Sequence, residues 1–344
     1  MPSVAADSPL CSQFDLAISG QFEEWVKLDS DPKQLRDLIA GIQAAYARGE
    51  NVMAYAREAA GSLENTLDAI LVAYDLQAGL DVAHAWTHPY ETAEWCGQTA
   101  RILSPLVTAS DSVLEVGCGE ATTLAGVLAQ LAVAPRYALG IDLSWSRCAA
   151  GAGWLAEVGV PARLVVANMF DIPLADASID VVYTSHALEP NGGREEAAIR
   201  ELMRVARKAV VLVEPIYELA TEAAQARMRS HGYVRGLRPT IERLGGTVAE
   251  YHLLPLTTNP LNPSGLIRID VAAAGRKSGG TGDVPADGPA WRCPLTHTEL
   301  QDLGDAFSSP ETGVAYPVLR GIPLLRVEHS VVAAGLKGPA ARLG

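Results

Sequence analysis

The sequence predicts a doubly wound α/β fold, and three observations carry that expectation. From Ser112 onward, short apolar runs of β-branched character alternate with longer segments of helical apolar period. The first run, Val113-Leu114-Glu115-Val116, ends in Gly117-Cys118-Gly119 before a periodic segment from Thr122 to Leu131, which reads as strand, tight glycine turn and helix. A second strand, Tyr137 to Ile141, ends in Asp142. An acidic residue about 20 positions downstream, at the tip of the second strand, is where a doubly wound sheet accepts hydrogen bonds from ribose hydroxyls.

Glycines at 117 and 119 let a ligand approach the backbone and the positive end of the following helix, so the loop reads as a nucleoside site. The spacing excludes two nucleotide motifs. A phosphate P-loop needs Gly-Lys-Ser/Thr at its end, and a dinucleotide fingerprint needs a third glycine where this chain has Thr122. What fits is Glu-x-Gly-x-Gly, from Glu115 to Gly119. The strand from Arg163 to Ala167 then runs into Asn168-Met169-Phe170-Asp171-Ile172-Pro173-Leu174, and Ile179-Asp180-Val181-Val182-Tyr183-Thr184 follows as a fourth strand. In order and spacing across Ser112 to Pro215, these four elements resemble the class I S-adenosylmethionine-dependent methyltransferases. The resemblance implies a Rossmann-like seven-stranded sheet, S-adenosyl-L-methionine as cofactor and an adenine loop at Asn168, Met169 and Phe170. It also implies cofactor contacts from Glu115, Gly117, Gly119, Asp142, Leu143 and Ser185, with Asp180 at a usual acidic position of the fourth strand.

Composition narrows the class. The 344 residues suggest about two domains, and 49% hydrophobic with 19% charged residues is an ordinary globular balance. A net charge of −13 repels phosphate backbones, so nucleic acid is not an expected partner. No run approaches about 18 apolar residues and the N-terminus lacks the regions of a signal peptide, so no membrane association and a cytoplasmic location are expected. The five cysteines form no CxxC pair, which points to neither a disulfide framework nor a zinc site.

Residues 1–105 read as an N-terminal helical cap. After a frayed start of about thirty residues, helical patterns cover Pro32 to Ala60 and Leu63 to Leu80. By the same resemblance the segment Tyr74-Asp75-Leu76-Gln77-Ala78-Gly79 looks like a lid over the cofactor, bringing Tyr74 and Gln77 to it; Tyr74 reads equally well as a packing residue. His84 and His88 are four apart, but Pro89 interrupts the segment and no acidic or cysteine partner has ligand spacing, so no metal is expected there. A helix follows from Glu91 to Leu103. Trp145 either covers the cofactor or packs the next helix.

The stretch after the fourth strand, Ser185-His186-Ala187-Leu188-Glu189-Pro190-Asn191-Gly192-Gly193-Arg194, lies beyond the carboxyl ends of the strands, where ligands bind open α/β sheets. Its candidates for chemistry are His186, a titratable group, and Asn191, a neutral amide. Glu189, Arg194 and Glu195 read as solvated charges at a helix start, as do Arg204 and Arg207 at its end. A helix from Arg194 to Val205 leads to a fifth strand at Val210 to Val213. The last strands, Thr247 to Leu254 and Leu266 to Ala273, enclose a Pro- and Asn-rich loop that reads as a wall of the substrate pocket.

The domain expectation is therefore a cap at 1–105, a cofactor-binding Rossmann-like domain at 106–275, a flexible linker at 276–289, a small α+β appendage at 290–330 and a tail at 331–344. From Trp291 to Val327 the appendage, with Cys293-Pro294 and Gly321-Ile322-Pro323, resembles the Trm112-like zinc-ribbon domains that activate some methyltransferases. It departs from them where Thr296 replaces a zinc ligand, so a docked structural element or a homodimer contact is expected instead.

The functional expectation is methyl transfer from S-adenosylmethionine to a small metabolite. A second reading is ring closure of the cofactor by its own amine to azetidine-2-carboxylate, releasing methylthioadenosine. The stretch after the fourth strand, with Tyr233 and Ser264, resembles methyltransferase-like cyclases of that type, which would make His186, Asn191, Tyr233 and Ser264 the catalytic set. A third reading is a scaffold that keeps the fold without the chemistry; the joint presence of Glu115, Gly117, Gly119 and Asp142 speaks against it.

Overall fold

The computed structural model describes residues 32–257, 259–271 and 288–336. The frayed start, Thr258, most of the linker and the last part of the tail lie outside the described residues. Seven strands form the main sheet: β1 (Ser112–Val116), β2 (Tyr137–Asp142), β3 (Arg163–Val166), β4 (Ile179–Ser185), β5 (Ala206–Pro215), β6 (Thr247–Leu253) and β7 (Ser264–Asp270), in the order β3-β2-β1-β4-β5-β7-β6. The first five are parallel, and β7 runs antiparallel between β5 and β6. All five residues of β1 are buried, as expected for a central parallel strand with helices on both faces. Strand order reverses at β1, with β2 on one side and β4 on the other, which opens a crevice at the carboxyl ends. Register sets what faces it. Val116 pairs with both Ile141 and Thr184, so the next residues, Gly117, Asp142 and Ser185, emerge flush at one edge.

The cap departs in detail from the sequence pattern. Instead of one long helix to Ala60, α1 (Pro32–Ala47) and α2 (Val52–Ala60) are separated where Gly49 takes φ +69° and the Asn51 side chain caps α2 by accepting from the Ala54 N–H. The second pattern, expected over Leu63 to Leu80, holds only α3 (Leu67–Asp75), capped by Thr66, and a further helix, α4 (Leu80–Thr87), begins after Gly79 at φ +98° and runs past the expected end. The next helix, α5 (Pro89–Leu103), starts two residues earlier than expected, because proline is well tolerated at the first helical position. Ile42, Met53, Ala56, Ile70 and Val72 give the cap its own small core, against which Leu143 of the main domain packs. No helix among the described residues is long and apolar enough to cross a membrane.

Arg204 and Arg207 are not free helix-end charges. Arg204 bonds Glu201, Asp176 and the carbonyls of Ile172 and Leu174. Arg207 donates to Asp180, a fully buried carboxylate that also accepts from the Ser112 backbone and hydroxyl, so Asp180 ties β1, β4 and β5 together rather than serving the crevice.

The appendage forms a small antiparallel sheet of β8 (Gln301–Asp302), β9 (Ala306–Ser309), β10 (Val314–Leu319) and β11 (Ile322–Pro323), with β12 (Val331–Val332) on β10. It therefore continues past the expected boundary at 330, because Val331 and Val332 complete the pairing of Val314 and Ala315. It docks on the edge that β3 would otherwise leave open. The Leu325 N–H donates to the Val166 carbonyl at 2.8 Å, and at the far end of the following loop Arg292 N–H reaches the Pro173 carbonyl at 2.9 Å. Trp291, Phe307, Tyr316 and Leu325 share one core with Leu139, Val165 and Ile172 of the main sheet. Cys293 is buried beside the Tyr316 hydroxyl, 3.3 Å away. Trp145 packs here rather than over the cofactor cleft, its indole N–H 3.5 Å from the Leu319 carbonyl and Arg320 across its ring.

Because the two units share a core, Phe307→Ala should destabilise the whole protein by about 3–5 kcal/mol, the usual result of emptying a buried aromatic site. Far-ultraviolet circular dichroism and tryptophan fluorescence should then move together in one denaturation transition. Two separated transitions would show that the appendage unfolds on its own.

Candidate functional site

The crevice is built from the flush edge of β1, β2 and β4. Gly117 and Gly119 take φ +73° and +53°, and a Cβ on Gly117 would stand 2.3 Å from that of Ala187, so the β1 loop can pass the β4 loop only without a side chain. Each oxygen of Asp142 accepts one backbone N–H at 2.9 Å, from Gly119 and from Ser144. This holds both loops while leaving each oxygen a lone pair for a further donor. Burial raises the Asp142 pKa, and Arg147 with the two N–H groups offsets part of that rise.

Two adjoining cavities occupy the crevice. The outer one lies between α3 (Leu67, Ile70, Leu71), Asp142 and Leu143 after β2, and Asn168, Met169 and Phe170 after β3. The inner one is bordered by Gln77, Glu115, Gly119, Ser185, Trp95 and Glu189. Tyr74, Gly117, Arg147 and His186 line both and so stand at the junction. All eleven residues assigned to the cofactor from the sequence, Tyr74 and Gln77 included, therefore border one cavity or the other.

The four residues assigned to chemistry divide. His186 and Asn191 line the outer cavity, whereas Tyr233 and Ser264 line neither. They nevertheless meet His186 through a buried network. Nε2 of His186 lies 2.7 Å from Ser264 Oγ, and Nδ1 lies 3.0 Å from Glu189 Oε2. That carboxylate also accepts from Asn262 at 2.9 Å and neighbours the Tyr233 hydroxyl. Serine, histidine and carboxylate in this order have the spacing of a hydrolytic triad, but Ser264 is only 1% exposed and borders neither cavity, so the arrangement orients the imidazole rather than presenting a nucleophile. Asn191 commits its amide nitrogen to the carbonyls of Ala187 and Leu188, which leaves its own carbonyl oxygen as the group it can offer.

Glu189 is thus not a solvated charge. Burial pulls its pKa up, but His186, Asn262 and Tyr233 hold it below the usual carboxylate range; reciprocally, burial pulls His186 down while Glu189 and Glu214 carry it above the ordinary histidine value. His186 adopts φ +54°, a left-handed conformation uncommon outside glycine, fixed because Glu214 accepts the N–H groups of Ala187 and Leu188 at 2.9 and 3.1 Å. Sequence reading passed over Glu189, Arg147 and Trp95. Only the three-residue interval between His186 and Glu189 hinted at a pair; the other two have no motif. The Pro- and Asn-rich loop borders neither cavity, contributing Asn262 to the network instead. His84 and His88 stack with ring centroids 4.5 Å apart. Among the described residues, no group of three or more His, Cys, Asp or Glu side chains could hold a metal ion.

The cap is fastened to the same loops. Glu120 accepts the N–H groups of Gly79 and Val82 at the start of α4, Ser144 Oγ donates to Asp75 at 2.6 Å, and Arg147 pairs with Asp81.

Two interior carboxyls titrate near neutrality. Burial pushes Glu115, which accepts from the Tyr183 hydroxyl, up to about 8, and Glu214 up to about 7. Unfolded Glu214 loses its proton near pH 4.5 whereas the folded state keeps it to about 7, so its contribution to stability falls as pH rises through that window and is level above it. Glu214→Gln keeps an acceptor for the two N–H groups and removes the titration. The stability difference between pH 5 and pH 8, measured by urea denaturation, should shrink by about 3 kcal/mol in that variant; an unchanged difference would mean that Glu214 is ionised in the folded protein.

Residues 113–209 match the family model described as a methyltransferase domain. That segment holds the glycine loop, Asp142, the loop at 168–170 and the turn from Ser185 to Asn191. No curated protein matches the chain in sequence. Among solved structures, magnesium protoporphyrin IX methyltransferase (ChlM) from Synechocystis PCC 6803, with bound SAH, is similar at 13% identity and a TM-score of 0.45, over 58% of this chain and 98% of that one. A chain from the complex of the Haloferax volcanii Trm112 methyltransferase activator is similar at 17% identity and 0.44, over 58% and 97%. The YcgJ protein from Bacillus subtilis is similar at 15% identity and 0.41, over 50% and 96%. The match to a methyltransferase domain over residues 113–209 thus falls on β1 to β4 and the start of β5, the strands of the doubly wound sheet that carry the crevice.

Proposed function

We propose that the protein binds S-adenosylmethionine in the paired cavities and transfers its methyl group to a small molecule. The observation that carries the reading is that the two cavities meet at side-chain-free Gly117, with the Asp142 carboxylate on one side of the junction and a partly aromatic chamber on the other. The donors fit the cofactor. Asp142 has a spare lone pair on each oxygen for a ribose diol, and Leu71, Met169 and Phe170 give a base apolar faces. Asn168 uses its side-chain oxygen on the Phe170 N–H, which leaves its amide protons for a ring nitrogen.

Bound there, the cofactor would supply a methyl group already activated on a sulfonium. The protein's own part is then alignment and exclusion of water, without a strong base. Tyr74 and Arg147 close the junction from the cap side. Trp95, its ring centroid 5.3 Å from that of His186, sets an aromatic wall beside the inner chamber, a face that attracts positive charge. Helices α3 and α4 cover the cavities, which favours a small acceptor over a macromolecule.

Titration calorimetry with S-adenosylmethionine should give micromolar binding, and a silent titration would favour a scaffold. Asp142→Ala should weaken binding at least tenfold, since a hydrogen bond to a charged group contributes about 1.5–3 kcal/mol; unchanged affinity would refute the ribose assignment. Incubation without an acceptor should leave the cofactor intact, and a small acceptor should then yield S-adenosylhomocysteine. Methylthioadenosine released without any acceptor would replace methyl transfer by ring closure to azetidine-2-carboxylate.

A further inference from the structure

The cofactor read into this site carries a free α-carboxylate, and that anion needs a donor in the cleft. Among the described residues lining the two cavities, the side chains able to bear positive charge are Arg147, His84 and His186. Both nitrogens of His186 are already committed to Glu189 and Ser264. His84 is exposed and stacked on His88.

Arg147 differs from both. Its side chain is 12% exposed, and its guanidinium rests on the glycine loop, where a Cβ on Gly119 would be 2.6 Å from Nη2 and 2.8 Å from Cζ. It also lies over the Tyr74 ring at 5.5 Å, at the junction of the two cavities. Its charge is met by Asp81, through Nη2, and by the buried Glu120 carboxylate, 3.9 Å from Nε and beyond hydrogen-bond distance. Its Nε, though buried, has no hydrogen-bond partner. A buried guanidinium edge with one N–H that makes no hydrogen bond beside one that does is half of a carboxylate-binding fork. Asp81, on the cap and 47% exposed, is a partner that solvent can readily replace.

We propose that Arg147 binds the α-carboxylate of the cofactor's amino-acid half, through Nε and Nη2, by exchanging it for Asp81. The assignment rests on the functional reading above and names a contact that the glycine loop and Asp142 do not provide.

The test compares S-adenosylmethionine with its decarboxylated analogue, which keeps the adenosyl sulfonium and the amine. Calorimetry on the full-length wild type should show at least a tenfold preference for the carboxylated ligand. Arg147→Gln should lose that preference, with S-adenosylmethionine weakened at least tenfold and the analogue changed less than twofold. Asp81→Asn should bind S-adenosylmethionine as tightly as wild type or tighter. An equal loss for both ligands in Arg147→Gln, or no loss for either, would overturn the assignment. If that variant does not fold, the wild-type preference and Asp81→Asn decide: equal binding of the two ligands by wild type, or weaker S-adenosylmethionine binding by Asp81→Asn, would overturn it. A wild type that binds neither ligand overturns the functional reading itself and the Arg147 contact with it.

Discussion

The placement of a carboxylate at the half-buried tip of β2 is the constraint on which the rest of the site depends. Asp142 keeps charge in a poorly solvated position by accepting the Gly119 and Ser144 N–H groups, and so fixes the loops after β1 and β2 relative to each other. The next residues of those loops fasten the cap: Ser144 bonds Asp75, Glu120 accepts two N–H groups of α4, and Arg147 reaches Asp81. Satisfying one carboxylate thus propagates outward. The loops that satisfy Asp142 are those that hold the helices covering the cleft.

A second polar core lies under the β4 turn. His186, Glu189, Ser264 and Asn262 form one hydrogen-bonded network in which the buried Glu189 charge is paired, while Asn262 Oδ1 keeps no partner. Glu214 supports the turn from below with one oxygen, while its other oxygen has no partner. A neutral carboxyl is the natural state of such a group, in keeping with a pKa pushed up to about 7 by burial. The left-handed backbone at His186 persists because these bonds hold it on both sides.

The appendage solves a different problem. An edge strand as apolar as Leu164-Val165-Val166 would leave open backbone groups and a hydrophobic face, and Leu324 and Leu325 cover its end. Backbone bonds at Val166 and at Pro173 bracket the loop that carries Asn168, Met169 and Phe170, so the C-terminal unit supports a wall of the outer cavity without entering it.

The sheet and the nucleoside side of the cleft were legible in sequence because their determinants are local. β-branched runs mark strands, Gly117 and Gly119 mark the turn, and Asp142 follows at the interval that a doubly wound sheet imposes. The break in the cap at Gly49 was less visible, since a helical apolar period continues across it when the next helix packs on the same core. Local sequence carried the doubly wound sheet, the glycine loop and the eleven cofactor candidates that border the cavities. Only the tertiary structure decided that Glu189 is an interior partner of His186, that Ser264, 78 positions away, closes the network, and that Arg147 stands at the junction. A charge near a helix start has the same local pattern whether it meets water or another side chain, and burial that depends on residues distant in the chain leaves no periodic mark in the sequence.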